Sequence, residues 1–364
     1  FFSGVYTPGS TFKMITSICA IENLPDIDSQ KFKCTGEYKV GGSSVKCLGV
    51  HGTVNFEKAL NVSCNSAFAQ IAIELGPDKL MATAKELGLG NQMYVGNIRL
   101  AKSSFNVTGA SDLDVGWAGI GQYTTRINPC QMLTIAGAVA NGGSSVPPYL
   151  VGKITSQTGK TIYEAKPGTA TQLISSDTAS KMNDMLRSNV KNYYSDGKFP
   201  NLKMCGKTGT AEVSSETGGA KPHAWFVGYS QREDLPLAIV VVVENGGGGG
   251  AGGAVLLRQG EVFRAAPGGP VELAVQQIDL AAQAVCRRVD GGLVPQLTQQ
   301  AEENAAGAGE KLAPEGGQHA ALQHVTRLRH VQYFLRRQHT AVPGQGAAQH
   351  VVGGDVVIVA GLYH

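Results

Sequence analysis

Apolar positions change their spacing several times along this chain, and each change marks an element. In "YTPGSTFKMITSICAIE" the residues Phe12, Ile15, Ile18, Cys19 and Ile21 recur at roughly helical spacing, after the turn signals Pro8 and Gly9. That pattern predicts a helix entering near Ser10. "KFKCTGEYKVGGSSVKCLGVHG" reads instead as two short strands around Gly41 and Gly42. The longer stretch "NFEKALNVSCNSAFAQIAIELGPDKLMATAKELGLG" predicts three helical pieces. Ala59, Leu60, Ala67, Phe68, Ile71 and Leu75 are its core positions, and Gly76, Pro77 and Gly88 its breaks. "NPCQMLTIAGAVANGG" predicts a further helix closed by Asn141, Gly142 and Gly143. "YLVGKIT" and "KTIYEA" form a strand pair, and "SSDTASKMNDMLRSNV" is an amphipathic helix with Ser176 or Asp177 near its cap. Three strand-like runs follow: "KMCGKTGTAEV", "HAWFVGYSQ" and "PLAIVVVVEN". Helices first and antiparallel-looking strands last predict a mixed α/β (α+β) fold, a sheet flanked by helices.

Composition changes that picture at Gly246, where five consecutive glycines end the periodic region. Six of the eight histidines lie beyond them, among Gln-, Gly- and Arg-rich stretches with no sustained period. We therefore divide the chain into a folded domain, residues 1–250, and an atypical tail, residues 251–364, that is either disordered or translated out of frame. A net charge of +3, with no basic run interleaved with aromatics, gives no sign of a nucleic-acid partner. No run of about 18 apolar residues is present to span a membrane. The opening "FFSGVY" lacks an initiating methionine and already lies inside a motif, so we expect the true N-terminus to be missing. Seven cysteines are too few and too scattered for a disulfide scaffold. Cys34 and Cys47 sit on opposite arms of the expected hairpin, either as a disulfide or as two packed thiols. With His51 they suggest zinc, but a fourth ligand is lacking and the spacing fits neither finger nor ribbon.

Candidate chemistry begins with Lys13, one helical turn after Ser10 on the same face of an otherwise apolar helix. Burial makes an ammonium costly and lowers its pKa toward the range where the amine accepts a proton, so Ser10 and Lys13 form a candidate nucleophile and base. "SCN" at Ser63 to Asn65 adds a hydroxyl and an amide at a helix junction; "KTGT" at Lys207 to Thr210 adds an ammonium, two hydroxyls and a glycine on a strand. Each has a plainer reading. Ser10 can be only a helix cap, Ser63 and Asn65 can cap a helix starting at Ser66, Cys64 can be a packed thiol, and Gly121 and Gln122 a plain turn. His223 and Trp225 read as structural or cleft-rim residues.

Together and in this order, SxxK, SxN and KTG are specific. With "YTPGSTFK", "CTGEY", "HGTVNFEKALNVSCNSAFAQIA", "GIGQYTTRINPCQMLTIAGAVANGG", "CGKTGTAEV" and "HAWFVGY", residues 1–250 resemble the transpeptidase domain of penicillin-binding proteins, class B more closely. The resemblance implies a β-lactamase/transpeptidase-like fold, a helical lobe on a mostly antiparallel sheet, with the site between them. It implies peptidoglycan D,D-transpeptidation with no cofactor and no metal. Its partners would be a stem peptide, D-Ala-D-Ala donor and amine acceptor, with β-lactam antibiotics as inhibitors. The place would be the extracytoplasmic face of a bacterial membrane, reached through an N-terminal anchor missing here. Ser10 would be acylated, Lys13 would be its base with Lys207 as cationic neighbour, Ser63 would pass a proton to the leaving amine, and Asn65 would hold Lys13 and the substrate. Backbone N–H groups of Ser10 and Thr210 would form the oxyanion hole, Thr208 and Thr210 with Lys207 would bind the terminal carboxylate, and Gly209 would let the strand approach the substrate. Gly121 and Gln122 would line the cleft. The sheet strands that precede SxxK in the family, its pedestal domain and its C-terminal helix have no counterpart in this sequence. A serine β-lactamase and a β-lactam sensor domain are the rival readings.

Overall fold

A buried helix sets the frame. In the computed structural model, which describes residues 2–149, 151–156, 158–166, 168–212, 221–247, 334–338 and 356–362, α1 (Lys13–Asn23) grows out of a 3₁₀ turn at Gly9–Phe12. Every residue of α1 from Lys13 to Ala20 is buried, as befits a helix that is apolar nearly all round. The expected hairpin forms from β2 (Glu37–Val40) and β3 (Ser43–Lys46), which turn on the positive-φ Gly41 and Gly42. Flanking it, β1 (Phe32–Cys34) pairs antiparallel with β4 (Gly52–Val54), a second ribbon absent from the sequence reading.

The three expected helical pieces are α2 (Phe56–Asn61) and the two halves of α3 (Asn65–Glu86). The halves meet at Gly76, whose φ of 77° and ψ of 166° break the helix for one residue before Pro77 restarts it. Ala59, Leu60, Ala67, Phe68, Ile71 and Leu75 all reach the core. α4 (Asp112–Gly119), started by a Ser111 cap, was not foreseen because "SDLDVGWAG" carries almost no apolar period. α5 (Pro129–Ala140) begins on an Asn128 cap with proline in its first turn, and α6 (Ser176–Asn189) is capped by Ser175, one residue earlier than expected.

The sheet comprises β5 (Met204–Ala211), β6 (His223–Ser230), β7 (Leu237–Val243), β8 (Phe334–Gln338) and β9 (Val356–Leu362), all antiparallel in the order β5-β6-β7-β9-β8. Alternate residues serve two cores. Trp225, Val227, Tyr229, Val240 and Val242 join the core that includes α1, α3 and α5, whereas Phe226, Ile239, Val241 and Val243 pack with Val190, Phe199 and Leu202 on the other face. Both faces being covered explains why "LAIVVVV" is continuously apolar rather than alternating.

The sequence reading left residues 251–364 out of the sheet, and here the structure differs. β9 pairs along the full length of β7, and β8 pairs with β9. Without β9 that edge of β7 would present unpaired N–H and C=O groups, and "VVIVAGL" has the β-branched composition suited to pairing with them. The rest of that tail lies outside the described residues. Among the described residues, no helix is long and apolar enough to cross a membrane.

Candidate active site

Three close backbone approaches build the site. Gly9 has a φ of +52°, and a Cβ there would lie 2.3 Å from the Thr210 carbonyl oxygen. Gly121, at φ +79°, would place a Cβ 2.1 Å from the Gly9 carbonyl oxygen, and Gly9 N–H donates to Gly121 O at 2.9 Å. On β5, a Cβ on Gly209 would meet Pro8 O at 2.8 Å and Thr11 N at 3.1 Å. The glycine of KTGT is thus required first by the turn that carries Ser10, a reason the sequence reading assigned to substrate instead. Gly121 is similarly a packing partner of that turn, and Gln122 follows it half-buried, with its N–H donating to Trp117 O at 3.0 Å.

This wedge leaves Ser10 half-buried in the 3₁₀ turn, without capping the helix, and Lys13 fully buried one turn on. Lys13 Nζ lies 3.0 Å from Ser10 Oγ, 2.8 Å from Ser63 O, 3.2 Å from Ser63 Oγ and 2.7 Å from Asn65 Oδ1. A neutral amine has two hydrogens, which the two shortest contacts use; its lone pair is then free to face the Ser10 hydroxyl. Burial holds the Lys13 pKa well below its ordinary value, and the Lys207 charge pushes it further the same way.

Ser63 joins the two lysines. Its backbone is in the left-handed region at φ 54°, uncommon for serine, and its Oγ accepts from Lys207 Nζ at 3.0 Å while lying 3.2 Å from Lys13 Nζ. Lys207 also donates to Thr208 O at 2.7 Å, and burial lowers its pKa to about 7. The expectation that Ser63 and Asn65 might only cap a helix from Ser66 gives way to a different arrangement. Helix α3 starts at Asn65 and its cap is Cys64, whose sulfur accepts from Ala67 N at 3.4 Å. Ser63 and Asn65 are thereby free to face Lys13.

Ser10, Lys13, Ser63, Asn65 and Lys207 therefore form one contact network. Thr208 and Thr210, half-buried, fall on the alternate positions of β5 from Lys207 and Gly209. The Thr208 hydroxyl lies 3.0 Å from that of Tyr194, which also accepts from Thr208 N at 3.2 Å and from Asn189 Nδ2 at 3.0 Å. Asn189 Nδ2 in addition donates to Gly206 O at 2.8 Å. Tyr194 and Asn189 brace the KTGT strand, and sequence reasoning missed both, since "NVKNYY" carries no motif. Trp225 is fully buried and His223 Nδ1 accepts from Asn245 N at 3.1 Å, both against Tyr6, which makes them structural.

One sequence expectation is corrected beside this network. Cys34, Cys47 and His51 do have a fourth companion: Cys64, the middle residue of "SCN", with all four donor atoms within 4.8 Å of one another. Cys34, Cys47 and Cys64 are free thiols.

Comparison with known proteins agrees with the fold and the family. Residues 1–264 match the family model "Penicillin binding protein transpeptidase domain", so the match runs past the boundary drawn at Gly250. The peptidoglycan D,D-transpeptidase PbpA of Mycolicibacterium smegmatis is 29% identical over 291 residues, covering 77% of this chain and 55% of that protein. PbpA of Mycobacterium tuberculosis is 29% identical over 244 residues, covering 65% and 49% respectively. The chain thus spans about half the length of these curated relatives. Among solved structures, the penicillin G acyl-enzyme complex of penicillin-binding protein A from M. tuberculosis superposes with a TM-score of 0.63 at 26% identity, covering 72% of this chain and 62% of that one. The D,D-transpeptidase domain of a peptidoglycan glycosyltransferase from Eggerthella lenta gives 0.64 at 26%, covering 71% and 66%. With the family model covering well over half of the sequence and the SxxK, SxN and KTG residues converging on one lysine pair, the chain belongs to the penicillin-binding protein transpeptidase family.

Proposed function

We propose that this chain is a serine D,D-transpeptidase domain that cross-links peptidoglycan stem peptides through a Ser10 acyl-enzyme. The observation that carries the proposal is the Lys13 amine, buried and 3.0 Å from Ser10 Oγ, with Ser63, Asn65 and Lys207 arranged around it. Lys13 takes the hydroxyl proton as Ser10 Oγ attacks the carbonyl carbon between the two terminal D-Ala residues. Negative charge collects on the carbonyl oxygen, facing the backbone N–H groups of Ser10 and Thr210; such a donor contributes about 3 kcal/mol to lowering the barrier. The C–N bond then breaks, and the proton reaches the departing amine from Lys13 by way of Ser63 Oγ. An acceptor amine from a second stem peptide attacks the ester carbon, the C–Oγ bond breaks, and the proton the amine loses passes by way of Lys13 to Ser10 Oγ, which leaves the cross-link formed and Ser10 free.

Lys207, Thr208 and Thr210 bind the terminal carboxylate in this scheme, Gly121 and Gln122 border the cleft, and Gly209 keeps β5 close to the nucleophile's turn. A β-lactam is a carboxylate-bearing cyclic amide that uses the same steps and stays attached as an ester. The substrate puts the domain on the extracytoplasmic face of a bacterial membrane. The test is covalent labelling with fluorescent penicillin, followed by mass spectrometry. The parent chain should carry a stable adduct on Ser10 and the Ser10→Ala chain none. Rapid turnover of the penicillin would instead indicate a β-lactamase, and normal labelling of Ser10→Ala would remove Ser10 as the nucleophile.

A further inference from the structure

We propose that Cys34, Cys47, His51 and Cys64 bind a structural zinc ion that ties the hairpin ribbons to the start of α3. The four donors come from four places in the chain: the end of β1, the residue after β3, the residue before β4 and the cap of α3. Cys34 Sγ and Cys47 Sγ lie 3.5 Å and 3.4 Å from His51 Nδ1, and Cys47 Sγ lies 3.9 Å from Cys64 Sγ. A tetrahedral zinc with ordinary Zn–S and Zn–N bonds separates sulfur from nitrogen by about 3.5 Å and sulfur from sulfur by about 3.8 Å. The three observed separations match edges of such a tetrahedron, and all six lie within 4.8 Å. The Cys47–Cys64 sulfur separation is far from the about 2.0 Å of a disulfide, and Cys34 and Cys47 are free thiols.

The surroundings suit thiolates. Asn65 N–H donates to Cys47 Sγ at 3.2 Å and Ala67 N–H donates to Cys64 Sγ at 3.4 Å, the kind of outer contact that orients metal ligands. Cys34 and Cys64 are buried while Cys47 and His51 are partly open, which gives an ion a route in. The soft sulfur-rich set with one imidazole favours zinc over magnesium or calcium. Binding forms three Zn–S bonds and one Zn–N bond and releases the three thiol protons to water; nothing is oxidised.

A metal also answers a packing question. β1 and β4 are three residues each, and in the loop between Cys47 and His51 the apolar Leu48 and Val50 are 83% and 73% exposed. A hydrophobic core does not hold that loop, whereas a four-way metal cross-link would. The tie reaches the active site, because Asn65 offers its N–H to Cys47 Sγ and its Oδ1 to Lys13 Nζ.

The proposal does not rest on the transpeptidase reading, and its test measures metal rather than acylation. The full chain, purified with reductant and without chelator, is assayed for metals by inductively coupled plasma mass spectrometry. About one zinc per chain is expected. Stripping with a chelator should lower the thermal midpoint, and zinc alone should restore it, which needs no variant to fold. Loss of an outer contact typically costs 10- to 100-fold in metal affinity, so His51→Ala should weaken zinc binding at least about tenfold. His51→Cys, which keeps a ligand, should retain about one zinc. A reduced chain that takes up no zinc, His51→Ala with parental affinity, or a Cys34–Cys47 disulfide that binds no zinc after reduction would overturn the proposal.

Discussion

In a Lys207→Met chain the fully buried ammonium gives way to an apolar side chain that fills most of the same space. An ordinary lysine titrates near 10.5 and Lys207 at about 7, because burial disfavours its charged form. At about 1.4 kcal/mol per pH unit, this gap makes the protonated side chain a cost to the fold of about 5 kcal/mol. The unfolded chain binds the proton more tightly than the folded one. The cost is therefore complete below pH 7, declines as pH rises toward 10.5 and is gone above it. Methionine removes that cost but leaves Ser63 Oγ and Thr208 O without this donor, which returns about 1–3 kcal/mol for each, about 4 kcal/mol together. We expect Lys207→Met to be more stable than the parent by about 1 kcal/mol at pH 6.5, with the advantage shrinking and reversing toward pH 10. Urea unfolding at pH 6.5, 8 and 10 reads the stability, and stopped-flow labelling with fluorescent penicillin should show acylation slowed about 10²- to 10⁴-fold. A variant less stable than the parent at pH 6.5, or an advantage that does not change with pH, would refute the reasoning that Lys207 is a destabilising group kept for chemistry.

Lys13→Ala should slow acylation by about 10²- to 10⁴-fold while leaving the preceding non-covalent binding of penicillin nearly unchanged, since a base acts in the transition state; weaker binding at an unchanged acylation rate would contradict that role. Gly121→Ala puts a methyl 2.1 Å from Gly9 O at φ +79°, whereas Gly142→Ala at φ +60° meets nothing within 4 Å. The first should cost about 3–5 kcal/mol and the second about 1–2 kcal/mol in urea unfolding, and equal losses would mean that backbone conformation alone matters. Tyr194→Phe removes a buried hydroxyl shared by Asn189 and Thr208, so a loss of about 1–3 kcal/mol is expected, and parental stability would show that it does not brace β5.

What the sequence revealed follows from how local each signal is. The α1 pattern, the Gly41–Gly42 turn, the α5 run closed at Asn141 and the strands β5 to β7 depend on neighbours within a few residues, and all formed where expected. Ser10 and Lys13 are three residues apart on one turn, so their pairing was legible, and the order of the motifs supplied Ser63, Asn65 and Lys207. By contrast, Gly9, Gly121 and Gly209 are each small because another segment passes within bonding distance of where a Cβ would be. From sequence each was a turn residue or a substrate contact. Tyr194 acts through Asn189 and Thr208 across the α6–β5 junction, a relation no local pattern records.

Cys64 shows the same limit from the opposite side. Its position between two motif residues directed attention to Ser63 and Asn65, and a sulfur 13 residues beyond His51 has no place in a finger or ribbon spacing. Folding supplies what spacing withholds. The β1–β4 and β2–β3 ribbons bring Cys34, Cys47 and His51 to one end, and the left-handed turn at Ser63 delivers Cys64 to them as the cap of α3. The same turn aims Ser63 at both lysines. One strained residue thus serves two neighbouring arrangements, a cluster of sulfur donors behind it and a pair of buried lysines in front, which is a physical reason for the fold to tolerate a serine at φ 54° there.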